Sequence, residues 1–200
     1  MRVLELFSGT HSVGKVAKQR GYEVVSLDTD GRANITEDIL TWDYTTYKPG
    51  HFDIVWASPP CTRYSIMNNI KANNFKNVNN DLTESNMIVQ QTLQIIDYLK
   101  PKIWFLENPQ TGKLKEQSFM LGLPYYDVDY CQYGHNLRKR TRIWTNLKDF
   151  TPLMCHKDCD KIVNGKHGSW GQLNETGIKR LDLRHSIPPR LIDALFDCVL

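Results

Sequence analysis

Cys61 stands directly behind two prolines in the stretch SPPCTRYS (Ser58 to Ser65), where the apolar run Ile54-Val55-Trp56-Ala57 has to stop. A thiol is a good nucleophile only as its thiolate, so a reactive cysteine needs an electropositive, partly open setting. Two prolines would fix its direction, and a nearby helix N-terminus or arginine would lower its pKa. Free cysteines are more commonly buried thiols. Glu107 closes a second apolar run, Ile103 to Leu106. A carboxyl there could hydrogen-bond a ring nitrogen and share its proton, or could be a surface glutamate. Arg138, Arg140 and Arg142 alternate. On an extended segment they project to one face, where they could clamp phosphates and a substrate base or form a solvated basic edge.

The segment LFSGTHSVG (Leu6 to Gly14) is a tight turn feeding a helix start. It could hold a nucleotide-like cofactor against backbone N–H groups. It is not the GxGxxG fingerprint, because His11 and Ser12 stand where glycines would be. Asp28 could accept hydrogen bonds from ribose hydroxyls, and Asp38 one from an adenine amino group. The alternatives are a solvated turn aspartate beside Asp30 for Asp28 and a capping role for Asp38.

These residues need a scaffold that brings them together. Apolar runs alternate with helix-like stretches, the βαβ pattern of a mostly parallel sheet. Strands are expected from Arg2 to Phe7, Glu23 to Leu27, Phe52 to Ala57 and Ile103 to Leu106. Tyr125 to Tyr130 alternates, and Ile143-Trp144 reads as a strand edge. Helices are expected from Ser12 to Arg20, from Glu84 to Leu99 with Thr83 as cap, and from Ile187-Pro188-Pro189 onward. Residues 66–80 are rich in asparagine and read as a loop; Thr145 to Leu183 is polar without strong periodicity. In an open α/β sheet ligands bind beyond the carboxyl ends of the strands, which is where Phe7, Asp28, Asp38, Cys61 and Glu107 fall.

The chain has 200 residues, of which 40% are hydrophobic and 24% charged. That fits one soluble domain able to bury a core without staples. There is no long apolar run for a membrane span and no secretory signal at MRVLELFSG. Five cysteines form no dense framework, which favours free thiols in a reducing cytoplasm or host-cell interior. A net charge of +3 is too small to identify a nucleic-acid partner.

Taken in order along the chain, the motifs resemble those of the DNA cytosine-5 methyltransferases. LELFSGTHSVG resembles the DLFxGxGG loop, SPPCTRYS the PPCQxFS motif, ENP the ENV motif, RKRTR the QxRxR motif and RHSIPPRL the GNxVPPxL motif. The resemblance implies a Rossmann-like class I fold, S-adenosylmethionine as methyl donor and DNA as partner. Phe7 would stack on the adenine; Gly9, Thr10 and Ser12 would lie near the methionine part. Asp28 would hold the ribose and Asp38-Ile39 the adenine, with Pro59 and Ser186 also on the cofactor. Cys61 would add to carbon 6 of a flipped cytosine and Glu107 would meet ring nitrogen 3. Arg142 would hold the base's carbonyl side, with Arg140 positioning it; Ser65 and Arg138 would contact the strand. Residues 66–80 would be a lid.

Departures from the family pattern qualify this. His11 and Ser12 replace glycines, Thr62 the glutamine after the nucleophile, Arg138 a glutamine and His185 an asparagine. Residues 145–183 stand where a target-recognition domain is usual and are too few for an independent core, so recognition is expected to be short, weak or supplied by a protein partner. Within them sit Cys155, His156, Cys159 and His167, and the Cys155-x₃-Cys159 pair with the downstream His167 could form part of a zinc site, with no obvious fourth ligand. The alternatives are an RNA cytosine-5 methyltransferase and a non-catalytic subunit that binds S-adenosylmethionine or DNA.

Overall fold

A computed structural model describes residues 1–65, 81–167 and 180–199. The expected lid, residues 66–80, lies outside them. Seven strands form one sheet in the order β3-β2-β1-β4-β5-β7-β6. They are β1 (Arg2–Leu6), β2 (Glu23–Asp28), β3 (Ile35–Thr36), β4 (Ile54–Ala57), β5 (Ile103–Pro109), β6 (Tyr125–Asp129) and β7 (Arg140–Thr145). The first five run parallel. β7 is antiparallel to both β5 and β6.

The central strands read as apolar runs, broken in β1 only by Glu5, because both faces are covered. On one face Val3, Ile54, Trp56 and Phe105 pack under helices α1 (Ser12–Gln19) and α4 (Pro189–Asp197). On the other, Leu4, Leu6, Val55 and Ala57 pack under α2 (Thr83–Leu99). Arg20 fastens α1 to α4 through Asp193 at 2.8 Å and Asp197 at 2.7 Å. This is the doubly wound, Rossmann-like sheet expected from the sequence. No helix among the described residues is long and apolar enough to cross a membrane.

Local details differ from the sequence-based expectation. Thr83 is the first residue of α2 rather than its cap; Leu82 holds the N-cap position, and the Asp81 carboxylate just before it accepts the Thr83 N–H at 2.9 Å. Asp38-Ile39-Leu40 is a turn in which the Asp38 carboxylate accepts the Leu40 N–H. Within the 145–183 insert a small antiparallel hairpin forms, β8 (Ile162–Val163) and β9 (Lys166–His167). Asn164 (φ 52) and Gly165 (φ 73) make its turn, the pairing that two-residue hairpins favour. A short helix, α3 (Arg180–His185), leads back to α4.

Candidate active site

The chain leaves β1 toward β2 on one side and later toward β5, through β4, on the other. The crevice between β1 and β4 is therefore the topological switch point. A cleft of about 380 Å³ opens there, within the ~300–1,000 Å³ usual for ligand sites. Phe7, Gly9, Asp28, Asp38 and Ile39 line one end; Pro59, Cys61, Glu107, Lys139 and His185 line the other.

The loop after β1 is built by three successive left-handed turns of backbone, at Phe7 (φ 59), Gly9 (φ 40) and His11 (φ 54). Only Gly9 takes this without a steric penalty; Phe7 and His11 store strain of about 1–3 kcal/mol each. Asp28 holds the loop by accepting the Gly9 N–H at 2.8 Å. From within β1, buried Glu5 reaches under α1 and accepts the N–H groups of Val13 and Gly14, both at 3.0 Å. Burial pushes the Glu5 carboxyl up to about 7, against those two bonds. Gly14 leaves room for this carboxylate: a Cβ there would lie 2.7 Å from Glu5 Oε2 and would force that side chain to shift. Ser12 is paired with Thr10 at 2.8 Å and accepts the Ile187 N–H at 3.1 Å, so the C-terminal segment is tied to this loop. Ser8 Oγ is buried in the lining with no hydrogen-bond partner among the described residues.

At the other end, β4 stops at Ala57 and the prolines carry the chain to Cys61. Asn108, buried on β5, donates to the Pro59 carbonyl at 3.0 Å and pins the mount. Burial and then the Glu107 charge push the Cys61 thiol up, while Lys139 pulls it down. The sequence suggested an environment that lowers this pKa; desolvation reverses the direction. Glu107, 6% exposed, accepts from the Tyr130 hydroxyl at 2.9 Å and from Lys139 at 3.4 Å. Both bonds fall on Oε1, and no donor among the described residues holds Oε2. Lys139 lies 4.9 Å from the Tyr130 ring centroid and 3.4 Å from the Arg184 carbonyl.

The three arginines do share a face, but it is not the cleft's. Arg142 stands opposite Asn108 and Asp127 in the sheet, whereas Glu107 stands opposite Ile143, so Glu107 and Arg142 point to opposite sides. Arg142 forms a two-pronged pair with Asp127 at 2.7 and 2.8 Å, its guanidinium 3.5 Å from the Tyr125 ring centroid. Arg138 and Arg140 both bind fully buried Asp129. Ser65 and Ser186 also lie outside the lining, although the neighbours of Ser186, His185 and Ile187, belong to it.

Sequence reasoning missed Glu5, Tyr130 and Lys139. Glu5 had a signal, an acidic residue inside an apolar strand, which implies a buried partner. Lys139 alternates with the arginines and so takes the opposite face.

No protein-family profile matches the sequence. Over 217 residues it is 41% identical to the "Probable DNA (cytosine-5)-methyltransferase" of Frog virus 3 (isolate Goorha), spanning 98% of this chain and 99% of the viral protein. Among solved structures, the S. pombe Dnmt2 methyltransferase aligns with a TM-score of 0.52 at 14% identity, over 72% of this chain and 50% of that one. The Entamoeba histolytica methyltransferase EhMeth aligns with a TM-score of 0.53 at 13% identity, over 77% and 56%. At such identities these two bear on the fold. The chain spans about half the length of each.

Proposed function

Because this chain belongs to the DNA cytosine-5 methyltransferase family, we propose that it methylates carbon 5 of cytosine in DNA through a covalent bond to Cys61. The observation that carries the reading is that Cys61 and Glu107 open on the same cleft as the Phe7–Gly9 loop. Donor and target base can therefore meet end to end.

The cofactor end suits S-adenosylmethionine in chemistry. Phe7, Leu27, Ile39 and Ile88 offer apolar surface for a purine. Asp28 and Asp38 offer carboxylates to hydroxyl and amino groups, and the Ser8 hydroxyl, without a partner among the described residues, offers a further polar contact. Gly9, Thr10 and Ser12 face the methionine part; Pro59 and the segment around Ser186 border the site. When bound, this cofactor supplies the electrophilic methyl that carbon 5 takes up.

The chain's residues prepare the base. A paired cytosine cannot reach the cleft, so it is flipped out. The Cys61 thiol gives up its proton and its sulfur bonds to carbon 6, moving the ring's electron pair toward carbon 5. Glu107 shares a proton with nitrogen 3 and spreads the charge that develops. Lys139 is the cation nearest that carboxyl, and it favours the Cys61 thiolate. Loss of the carbon 5 proton then restores the double bond and expels Cys61. Arg140 and Arg142 act at one remove, bracing the β6–β7 ribbon on which Lys139 rides. Arg138 and Ser65 contribute to strand contact from outside the cleft. With residues 145–183 in place of a full recognition domain, target choice is short or supplied by another chain.

The test is transfer of label from S-adenosylmethionine to duplex DNA, single-stranded DNA and RNA, followed by nucleoside analysis. 5-Methylcytosine in DNA supports the reading, and label confined to RNA moves the substrate class. Cofactor binding without transfer to any substrate makes the chain a binding subunit. A DNA containing 5-fluorocytosine should trap an adduct that Cys61→Ala abolishes.

A further inference from the structure

Four side chains outside the cleft converge without a role in methyl transfer. The ligand atoms of Cys131, Cys155, Cys159 and His167 all lie within 4.8 Å of one another. His167 Nε2 is 3.3 Å from the sulfurs of both Cys155 and Cys159. Cys131 is the ligand the local spacing hid. It comes from a 3₁₀ turn (Tyr130–Tyr133) directly after β6, well before the insert that carries the others. His156, the other candidate in sequence, is exposed, and its backbone N–H binds Asp158.

We propose that Cys131, Cys155, Cys159 and His167 bind one zinc ion as a closed tetrahedral site that staples the insert to the β6–β7 ribbon. Zinc–sulfur bonds of about 2.3 Å and a zinc–nitrogen bond of about 2.0 Å place sulfur and nitrogen about 3.5 Å apart, and two sulfurs about 3.8 Å apart. The cluster is already close to those edges. A disulfide would join only two sulfurs and strand the third thiol beside the imidazole. One imidazole nitrogen carries either a proton or a lone pair, so it cannot serve two thiols well. A thiolate-rich, four-coordinate set with one imidazole selects zinc.

The surroundings are built for it. Fully buried Asp129 accepts the Cys155 N–H at 2.9 Å, and Arg138 donates to the Cys155 carbonyl at 2.9 Å. Such outer contacts orient ligands, and the guanidinium offsets the net negative charge of three thiolates around one dication. Four protein ligands leave no open position, so the ion is structural. The same Asp129 holds Arg140 on β7, which links the metal site to the ribbon that carries Lys139.

The inference stands independently of the methyltransferase reading, and its test is metal content. The purified full chain, chelator-treated and then titrated with Zn²⁺ alone, should take up one zinc per chain. Co²⁺ in its place should give the intense visible bands and the thiolate charge-transfer band of a tetrahedral sulfur-rich site. Cys131→Ser and His167→Ala should each lose most of the affinity, while Cys198→Ser, altering an exposed cysteine, should keep it. Limited proteolysis should show the insert cut faster without metal. Failure of the wild-type chain to bind zinc, full binding by Cys131→Ser, or a native disulfide among the three cysteines would overturn the proposal.

Discussion

The Tyr130 hydroxyl donates to Glu107 Oε1 at 2.9 Å inside the protein, with Lys139 3.4 Å from the same oxygen. Tyr130 is fully buried, and burial, then the Glu107 charge, push its pKa far up. It therefore remains a donor and leaves Glu107 Oε2 as the oxygen free for a base. Tyr130→Phe keeps the packing and removes this bond together with the hydroxyl's contact to Thr141; a hydrogen bond to a charged group is worth about 1.5–3 kcal/mol. If that is lost from the transition state, kcat falls about 10- to 150-fold, with KM for the methyl donor unchanged. An unaltered kcat would remove Tyr130 from the positioning of Glu107.

Cys61 should be a slow thiol in the free protein. Burial and Glu107 both raise its pKa, and Lys139 alone among the three leading influences lowers it. Alkylation at Cys61, followed peptide by peptide against exposed Cys198, should lag at neutral pH and accelerate at alkaline pH. Glu107→Gln should shift that profile to lower pH and Lys139→Met to higher pH. A Cys61 that reacts as readily as a low-pKa thiol at neutral pH would contradict the geometry, and would mean that something other than substrate binding activates it.

Lys139 and Arg142 should separate into rate and stability. Arg142 spends both prongs on Asp127 and stacks on Tyr125, contacts a lysine cannot reproduce. Arg142→Lys should cost about 1–2 kcal/mol of stability, read as a lower Tm, with kcat per folded molecule changed only a few-fold. Lys139→Met should do the reverse, lowering kcat about tenfold or more by stripping the cation from Glu107, with a small change in Tm. If Arg142→Lys abolished transfer in a folded protein, the arginine would act on the base directly.

The parallel sheet, the helix faces and the placement of Cys61 and Glu107 were legible because they depend on local period and on strand ends. Phe7, Asp28 and Asp38 fell into place for the same reason: βα loops of an open sheet gather at one edge. What the sequence hid depends on register. Which side of β7 faces the cleft turns on a single residue, so the conspicuous arginines drew attention from Lys139 between them. Cys131 belongs to the same class of miss: its partners lie on a different element, and only the β6–β7 ribbon's return brings them together. The hairpin turn Asn164-Gly165 was visible in the sequence, and the polar character of its flanks masked it.

Glu5 makes stability depend on pH in a way opposite to most carboxylates. Its folded pKa is raised to about 7 from 4.5, so the folded state holds a proton that the unfolded state has released. Unfolding free energy from this group is therefore greatest below the unfolded pKa, declines as pH rises from about 4.5 to about 7, and stays reduced above that. The swing is on the order of 3 kcal/mol. Glu5→Gln removes the titration and costs one of the two bonds to Val13 and Gly14, because its NH₂ faces a backbone N–H. Urea unfolding at about pH 5 and about pH 8 should show wild type more stable than the variant at the lower pH. The gap should narrow or invert at the higher one. Parallel pH profiles for the two proteins would show that Glu5 ionises normally under α1, with the two N–H bonds and the helix N-terminus outweighing burial.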